Sequence, residues 1–391
     1  MHKVAIKNRT ENELLEFFAE INEKKYRAKQ LNDALYKKKI NAFSEISNFP
    51  KQLIVLLEKK FSATSLSTEK ILESTDGSKK ILYKTSDNQF IETVFLSNSP
   101  MAVNYSLSAR NDIKEKESRS ILTKRNTQMT INESRSKIAK SDFASNRHTL
   151  CVSTMVGCPI NCRFCATARI GFKRNLDVAE IIDQIFLTEN NTQKSIDNIV
   201  FMGMGEPFLN YSNVVNSLKI ISKNEIVSKK NITVSTIGIP EKIIDFAKEE
   251  MKIKLAISLH SAFDDVRKTL IPVAKKYQIE DLLKALEYYY RATKMPITFE
   301  YILFKNLNDS EKDIKKIAKI ARRFPAKINL IPFNDISFVA QNIDLIPASE
   351  NEIKIFAKKL YNENVMTITR KSQGSDIAAA CGQLATSVTL V

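Results

Sequence analysis

Long apolar runs are missing from this 391-residue sequence. No stretch reaches the roughly 18 uninterrupted apolar residues that a membrane-spanning helix needs. The first residues, Met1 to Ala5, lead into a charged helical pattern without the apolar segment of a signal peptide. Apolar residues make up 43% of the chain and charged residues 27%, values that are typical of folded soluble proteins and exclude extensive disorder. We therefore expect a cytoplasmic protein without a membrane partner.

Glycine is also scarce. The chain has eight glycines, about a quarter of the usual share of roughly 7%. A sequence that uses so little glycine keeps it where the backbone needs a positive φ or a close approach. Gly77 lies in a predicted turn, and the other seven lie in or beside the motifs described below. These seven are Gly157, Gly171, Gly203, Gly205, Gly238, Gly374 and Gly382.

The few cysteines are concentrated in one place. The five are Cys151, Cys158, Cys162, Cys165 and Cys381, so four of them lie within fifteen residues. Disulfide scaffolds spread their cysteines along short secreted chains, whereas a cytosolic cluster indicates metal or redox chemistry. Structural zinc sites prefer two C-x₂-C pairs, and no second pair follows here. Three thiolates on one loop, spaced C-x₃-C-x₂-C, can instead hold a [4Fe–4S] cluster with one iron left open.

The charge is strongly positive. The sequence has 60 Lys and Arg against 44 Asp and Glu, which gives a net charge of +16. Such an excess favours polyanionic partners, because each neutralised phosphate releases counterions. The alternative is compositional, since AT-rich genomes overuse lysine codons. The charge therefore indicates nucleic-acid binding without establishing it.

Hydrophobic patterning divides the chain into five segments. The predicted segments are a helical N-terminal accessory domain (1–63), a short β extension (64–96), a polar and possibly flexible insertion (97–147), a barrel (148–369) and a C-terminal loop (370–391). The family resemblance described below implies that the N-terminal domain binds RNA. Within the barrel, apolar strand-like runs begin near 149, 196, 232, 253, 297 and 328, and amphipathic helices alternate with them. Six such units predict an α/β fold, a partial (β/α)₆ barrel whose active site lies on the loops that follow the strands.

Several motifs occur in one order along this barrel. Besides the cysteine loop, they are Thr149 to Ser153, Gly171 to Leu176, Gly203 to Pro207, Ser258 to His260 and Ala380 to Leu384. The cysteine spacing resembles that of radical S-adenosylmethionine (SAM) enzymes. The whole set resembles the RNA adenine methyltransferases of the RlmN/Cfr type, and most closely the RlmN branch. The resemblance covers 148–386 and, more loosely, the helical N-terminal region.

The resemblance implies a radical SAM barrel and two groups of ligand-binding residues. Cys158, Cys162 and Cys165 would hold the [4Fe–4S] cluster, whose open iron binds SAM. The other group would contact SAM: Gly205, Glu206, Ser235, Ser258, Leu259, His260 and Asn334. Taken alone, His260 would be read as an ordinary core histidine, and its neighbours and their order favour the ligand-binding interpretation.

The resemblance also implies a mechanism that consumes two SAM per turnover. One SAM methylates Cys381, and the second, cleaved at the cluster, yields a radical that removes hydrogen from the S-methyl group. The resulting carbon radical adds to adenine, and Cys151 then attacks the Cys381 sulfur to release the methylated base. Glu92 matches the family's proposed base, and the alternative that it is an exposed strand carboxylate stays open.

The substrate implied by the resemblance is C2 of an adenosine in 23S rRNA near the peptidyl-transferase centre, together with tRNA next to the anticodon. A monomer and an electron donor such as flavodoxin or ferredoxin are expected. Two alternatives stay open: C8 methylation as in antibiotic-resistance relatives, and a non-catalytic iron–sulfur RNA-binding protein. Pro207 favours C2, and the pair Cys151 and Cys381 argues against the binding protein. Two features depart from the family pattern, the long insertion and the stretch 335–347, which lacks a Pro-Gly-rich run.

Overall fold

The computed structural model describes residues 3–97, 103–104, 147–340 and 344–385. The N-terminal region consists of a short strand and three helices: β1 (Val4–Ala5), α1 (Glu11–Glu20), α2 (Tyr26–Tyr36) and α3 (Lys51–Lys60). α1 begins where Thr10 and Glu13 form a capping box, which satisfies amide groups that a helix start leaves without partners. β1 pairs in parallel with β2 (Phe61–Ser62), so the end of this region folds back on its beginning.

A meander of three antiparallel strands follows: β3 (Leu66–Glu73), β4 (Lys79–Thr85) and β5 (Phe90–Leu96). After β6 (Val103–Asn104), the chain enters the barrel with β7 (Thr149–Cys151). β5 pairs antiparallel with β7. The β extension therefore continues the barrel sheet and brings its side chains beside the first barrel strand.

The barrel combines parallel strands with helices, as the sequence predicts. The remaining strands are β8 (Met155–Gly157), β9 (Phe172–Asn175), β10 (Asn198–Phe201), β11 (Ile232–Thr236), β12 (Lys254–Ser258), β13 (Ile297–Ile302), β14 (Ala326–Ile331) and β15 (Thr367–Thr369). The helices are α4 (Val178–Thr192), α5 (Tyr211–Lys223), α6 (Pro240–Lys248), α7 (Asp264–Leu270), α8 (Ile279–Thr293), α9 (Glu311–Ala321) and α10 (Glu350–Asn362). The sheet order is β3-β4-β5-β7-β10-β11-β12-β13-β14-β15-β6, and the run from β7 to β15 is parallel.

The first barrel strand is shorter than its apolar run predicts. The run extends from 149 to 155, but β7 ends at Cys151, and β8 pairs instead with β9 in a separate hairpin. The short helix α7 was not predicted from the sequence. Both differences arise between β strands and their helices, where loops that carry a binding site interrupt the regular pattern.

The two faces of the barrel sheet differ in polarity. Because side chains alternate between faces, the strand register places one set of residues on the same face, which we call the inner face. This set is Cys151, Val200, Ser235, Ser258, Glu300 and Asn329. The opposite face consists of apolar residues with no solvent exposure, among them Leu150, Ile199, Val234, Leu255, Phe299 and Leu330. The inner face is therefore the one that can accept polar ligands.

Ion pairs attach the N-terminal region to α4. Lys7 pairs with Asp183 and Lys39 pairs with Glu189. In the described ranges, no helix is long and apolar enough to cross a membrane. The predicted insertion 97–147 lies outside the described residues, apart from positions 97, 103, 104 and 147. The strand at 103–104 pairs antiparallel with β15.

Candidate active site

The three closely spaced cysteines lie on the loop that joins β8 to β9. Cys158 donates its backbone N–H to the carbonyl of Gly171 over 2.9 Å, which closes the base of the loop. Gly157 has a φ of +76°, and an added Cβ would come within 1.8 Å of the Gly171 oxygen. The base of the loop therefore requires glycine at 157 for both its conformation and its close contact.

The loop thiols influence one another. Burial raises the pKa of Cys162 well above its ordinary value, and the neighbouring Cys165 and Cys158 raise it further. Burial also raises the pKa of Cys158 to about 12. Thiols in such surroundings ionise only with a positive partner, and a bound metal removes their protons outright. The site therefore favours a metal-bound state of these three sulfurs.

The donor set fits a [4Fe–4S] cluster better than a single metal ion. Among the residues that the structure describes, no three His, Cys, Asp or Glu side chains come close enough to share one ion. A [4Fe–4S] cluster has no need for such convergence, because each of its thiolates binds a different iron. The loop supplies three cysteines, which leaves one iron for an outside ligand.

Glu206 lies beside this loop, just after β10. Its carboxylate accepts the N–H of Phe208 over 3.0 Å and that of Ile237 over 2.9 Å. Burial raises the pKa of Glu206 to about 7, and its charge contributes to the raised pKa of Cys158 and of Cys162. Gly205, at a φ of +100°, has no room for a side chain, since an added Cβ would be 2.6 Å from Met155. The buried Glu206 carboxylate is thus held near the loop that carries Cys158, Cys162 and Cys165, which we call the cluster loop.

The predicted SAM contacts on β11 and β12 lie where the sequence places them. Ser235 and Ser258 are half-buried on the inner face, whereas Leu259 is fully buried. His260 accepts the N–H of Ile302 at its Nδ1 over 3.0 Å, and burial lowers the pKa of His260 to about 3. The His260 ring therefore stays neutral.

His260 also supports the cluster loop. Its ring packs edge-on against Phe164, with 4.6 Å between the ring centroids. Phe164 lies between Cys162 and Cys165 in the sequence, so this contact helps to fix the loop. His260 can therefore be a buried core histidine and also lie at the binding site.

Cys381 lies in a loop that closes over the inner face. Asn334 donates its Nδ2 to the Cys381 carbonyl over 2.9 Å and accepts the Ser372 hydroxyl over 2.6 Å. The backbone N–H of Ala166 donates to the carbonyl of Gly382 over 2.7 Å. The C-terminal loop is therefore tied to the cluster loop, and Asn334, predicted as a SAM contact, holds the Cys381 backbone here.

Cys381 lies within electrostatic range of two other thiols. Burial raises the pKa of Cys151 to about 12, and the neighbouring Cys381 raises it further. The pKa of Cys381 is itself raised by burial and by Cys165, while Arg370 lowers it. Cys381 borders solvent, and both Cys381 and Cys151 are free thiols. The loop thus places Cys381 near both a cluster cysteine and Cys151.

Glu92 is fully buried on β5, so the alternative of an exposed strand carboxylate is wrong. Val94 pairs with Cys151 across the strands, and Glu92 lies two residues from Val94 on the same face. Its backbone carbonyl accepts the Ser153 hydroxyl over 2.6 Å. Glu92 therefore shares the inner face with Cys151.

Sequence reasoning missed two buried cations near the site. Arg267 is 1% exposed and donates to the carbonyls of Ile237, Ser258 and Leu259, which joins the ends of β11 and β12. Lys80 is also 1% exposed and lies on β4. The sequence did contain a signal for Lys80. It directly precedes the apolar run 81–83, so it could be expected in a buried strand, where a lysine needs a charged partner. Arg267 had no such signal, since α7 itself was not predicted.

Two family models match the chain. The Radical SAM superfamily matches residues 152–318, and the ribosomal RNA large subunit methyltransferase N-terminal domain matches residues 4–63. Radical SAM enzymes bind a [4Fe–4S] cluster and SAM, in agreement with the donor set of the loop.

Similar proteins cover nearly the whole chain. A Thermotoga sp. (strain RQ2) protein named "Probable dual-specificity RNA methyltransferase RlmN" is 36% identical over 363 residues, which cover 92% of this chain and 91% of that protein. A Listeria welshimeri protein of the same name is 35% identical and covers 98% of this chain and 94% of its own length. The crystal structure of a radical SAM methyltransferase from Sphaerobacter thermophilus has a TM-score of 0.80 at 30% identity and covers 97% of this chain and 99% of that chain. This chain therefore belongs to the RlmN family of radical SAM RNA methyltransferases.

Proposed function

We propose that this protein methylates C2 of an adenosine in 23S rRNA, and of an adenosine in tRNA next to the anticodon, and that it consumes two SAM per turnover. The names of its relatives support RNA as the substrate. One observation carries the proposal: the 2.7 Å hydrogen bond from the Ala166 N–H to the Gly382 carbonyl holds the loop of Cys381 against the loop of Cys165, and the Cys381 thiol influences the pKa of Cys151. A binding protein without catalysis has no use for that arrangement.

The cluster and SAM have defined places in this proposal. Cys158, Cys162 and Cys165 would hold the cluster, and Glu206 would receive the amino group of SAM. Gly205, Ser235, Ser258 to His260 and Asn334 line the rest of the SAM site. When bound, the cluster and SAM supply a carbon-centred radical by one-electron reduction, for which flavodoxin or ferredoxin is the expected donor.

Cys381 carries the carbon that becomes the methyl group. Its thiolate is the nucleophile that is methylated first. Burial raises the pKa of Cys381, and the positive charge of Arg370 opposes that rise. The carbon on Cys381 then bonds to the adenine ring, and Glu92 accepts the proton that the ring carbon loses. The unpaired electron that radical addition leaves in the ring would pass to the oxidised cluster. An aromatic C–H is too weak an acid for ordinary methyl transfer. The bond between the Cys381-borne carbon and the ring must therefore form before the proton leaves.

Cys151 releases the product. Its thiolate attacks the Cys381 sulfur, a disulfide forms, and the sulfur–carbon bond breaks. The electron pair of that bond stays with the carbon, which takes up a proton and becomes the methyl group. An external thiol reductant would then supply the two electrons and two protons that return the disulfide to two cysteine thiols. A monomer is sufficient for this sequence, because one chain supplies every residue named.

The RNA itself is held through charge. The net charge of +16 favours phosphate contacts, and the helical N-terminal region, which matches a family domain of ribosomal RNA methyltransferases, is the proposed RNA-binding accessory domain. These features support a cytoplasmic enzyme that acts on large structured RNA.

Mass spectrometry of nucleosides tests the proposed function. 23S rRNA and tRNA from cells with and without the gene are digested and compared, and a strain that expresses Cys381→Ser is the matched control. We expect 2-methyladenosine in both RNAs only when the wild-type protein is present. 8-Methyladenosine would overturn the C2 assignment, and the absence of any methylated adenosine would overturn the enzymatic function.

A further inference from the structure

A buried ion pair joins the β extension to the candidate active site. The Lys80 ammonium lies 3.5 Å from the Glu92 carboxylate, and the two side chains are 1% and 0% exposed. Lys80 pairs with Val94 across β4 and β5, and Glu92 pairs with Leu82. The two charged residues are therefore diagonal neighbours on the inner face, a separation that a lysine side chain spans easily.

Lys80 also contacts the loop that carries Cys381. Its Nζ donates to the carbonyl of Ala378 over 3.2 Å, three residues before Cys381. Ala378 has a φ of +50°, a conformation that costs a non-glycine residue on the order of 1 kcal/mol, so contacts around it must hold the loop in place.

The turn between β3 and β4 provides further contacts of this kind. Asp376 accepts the Ser74 hydroxyl over 2.6 Å and the Thr75 N–H over 3.0 Å. Asp76 accepts the Gly374 N–H over 2.8 Å. The β3–β4 hairpin thus holds the C-terminal loop at one end, and Lys80 holds it near Cys381.

We propose that Lys80 is a positioning residue for the base: its ammonium keeps Glu92 ionised and fixes it relative to the loop that carries Cys381. This inference rests on the proposed role of Glu92. In the step it serves, the proton of the adenine C–H passes to a Glu92 oxygen, and the electron pair of that bond stays in the ring. The one unpaired electron that radical addition leaves in the ring would pass to the oxidised cluster. Only the carboxylate form of Glu92 can accept the proton.

The physical reason is the cost of burying a charge. Without a partner, a buried carboxyl group favours its neutral form, whereas an adjacent ammonium favours the carboxylate. The same balance acts on the lysine, because burial lowers the pKa of Lys80 and Glu92 opposes that effect. Other titratable or charged groups face the pair from the neighbouring elements. They are Lys70 on β3, which influences the pKa of Lys80, and Cys151 on β7, which pairs with Val94. Arg370 and Cys381 in the C-terminal segment lie near Cys151 in turn.

The chain contains a second pair of nearly the same construction, away from the site. Lys7 lies 2.5 Å from Asp183, both side chains are 1% exposed, and Lys7 also donates to the carbonyl of Ala63 over 2.7 Å. Each lysine thus has one carboxylate and one backbone carbonyl. Loss of either lysine removes the ammonium partner of a buried carboxylate, so Lys7→Met is the control for Lys80→Met, although Asp183 keeps the N–H and hydroxyl of Ser65 as donors.

The experiment compares Lys80→Met, Lys80→Arg and Lys7→Met with the wild type after anaerobic cluster reconstitution. Iron content and melting temperature establish that each protein is folded. Two steps are then followed: S-methylation of Cys381 by peptide mass spectrometry, and the initial rate of 2-methyladenosine formation on unmethylated rRNA between about pH 6 and pH 9.

We expect Lys80→Met to methylate Cys381 at a rate close to that of the wild type, because the contacts of Asp376 and Asp76 still hold the C-terminal loop. Its product formation should need a higher pH, with the midpoint of the acidic limb raised by about one pH unit or more, because the carboxyl group loses its positive partner. Lys80→Arg retains a cation and should restore a midpoint near the wild-type value. Lys7→Met should leave the midpoint unchanged.

Two outcomes would overturn the inference: an unchanged acidic limb in folded Lys80→Met, or an equal displacement in Lys7→Met. Glu92→Gln separates this failure from that of the proposed function. If Glu92→Gln forms product like the wild type, Glu92 is not the base and the proposed mechanism fails. If Glu92→Gln is inactive while Lys80→Met keeps the wild-type pH profile, only the role of Lys80 is refuted.

Discussion

The neutral His260 ring makes protein stability depend on pH in a predictable way. Burial lowers the pKa of His260 to about 3 in the folded protein, whereas an unfolded histidine titrates near about 6.5. Between these values the unfolded state binds a proton that the folded state does not, so stability is lost as the pH falls through this range. One pKa unit corresponds to about 1.4 kcal/mol, so the whole effect is about 5 kcal/mol, of which about 2 kcal/mol is lost by about pH 5.

Replacement of the ring by a group that does not titrate isolates this contribution. In His260→Asn, the amide oxygen can take the place of Nδ1 as acceptor for the Ile302 N–H, which is 3.0 Å from Nδ1 in the wild type. Urea unfolding of the metal-free proteins at about pH 7.5 and pH 5 should show that the variant loses about 2 kcal/mol less than the wild type. His148→Asn is the control, because the His148 ring is partly exposed and bonds to the Ser195 carbonyl.

A local measurement checks the same point without global unfolding. The ring resonances of His260, assigned by their absence in His260→Asn, should not titrate above about pH 4. A titration midpoint near pH 6, or equal losses of stability in the wild type and His260→Asn, would refute the argument that burial and the Ile302 contact keep this ring neutral.

Three further predictions concern the cysteines. Replacement of Cys158, Cys162 or Cys165 by Ala should remove most of the roughly four irons per chain and all activity, and a triple variant with full iron content by metal analysis would contradict the cluster assignment. Cys381→Ala should keep its iron and still bind SAM but transfer no methyl group. Peptides of the wild-type protein should carry S-methylcysteine at 381. A methyl group found on another residue would exclude the role of Cys381 as methyl carrier. Cys151→Ala should stall after one turnover, covalently attached to RNA through Cys381, and denaturing electrophoresis before and after ribonuclease should reveal an adduct that resists thiol reductants. Multiple turnovers by that variant would mean that another group releases the product.

Prediction from sequence worked best where the relevant residues are neighbours in the chain. The three cysteines predicted to bind the cluster lie within one loop, and their spacing indicates a metal cluster because a short loop keeps its side chains close together. The barrel likewise follows from the alternation of apolar runs and amphipathic helices, and Ser235 and Ser258 lie on its inner face as expected. The ends of strands were harder to predict, because pairing with another strand decides where a strand ends. The strand β7, for example, stops four residues before its apolar run does.

The sequence by itself therefore determined the family, the cluster loop and the order of the barrel strands. Only the tertiary structure decided that Glu92 is buried and paired with Lys80, that the β3–β4 hairpin holds the C-terminal loop, and that Asn334 contacts Cys381. These contacts join residues that are far apart in the chain, with the exception of Lys80 and Glu92, whose contact depends on the register of two strands. The periodicity of apolar residues along a strand predicts which face a side chain occupies. The partner of that side chain depends on which strands and loops become neighbours when the whole barrel closes.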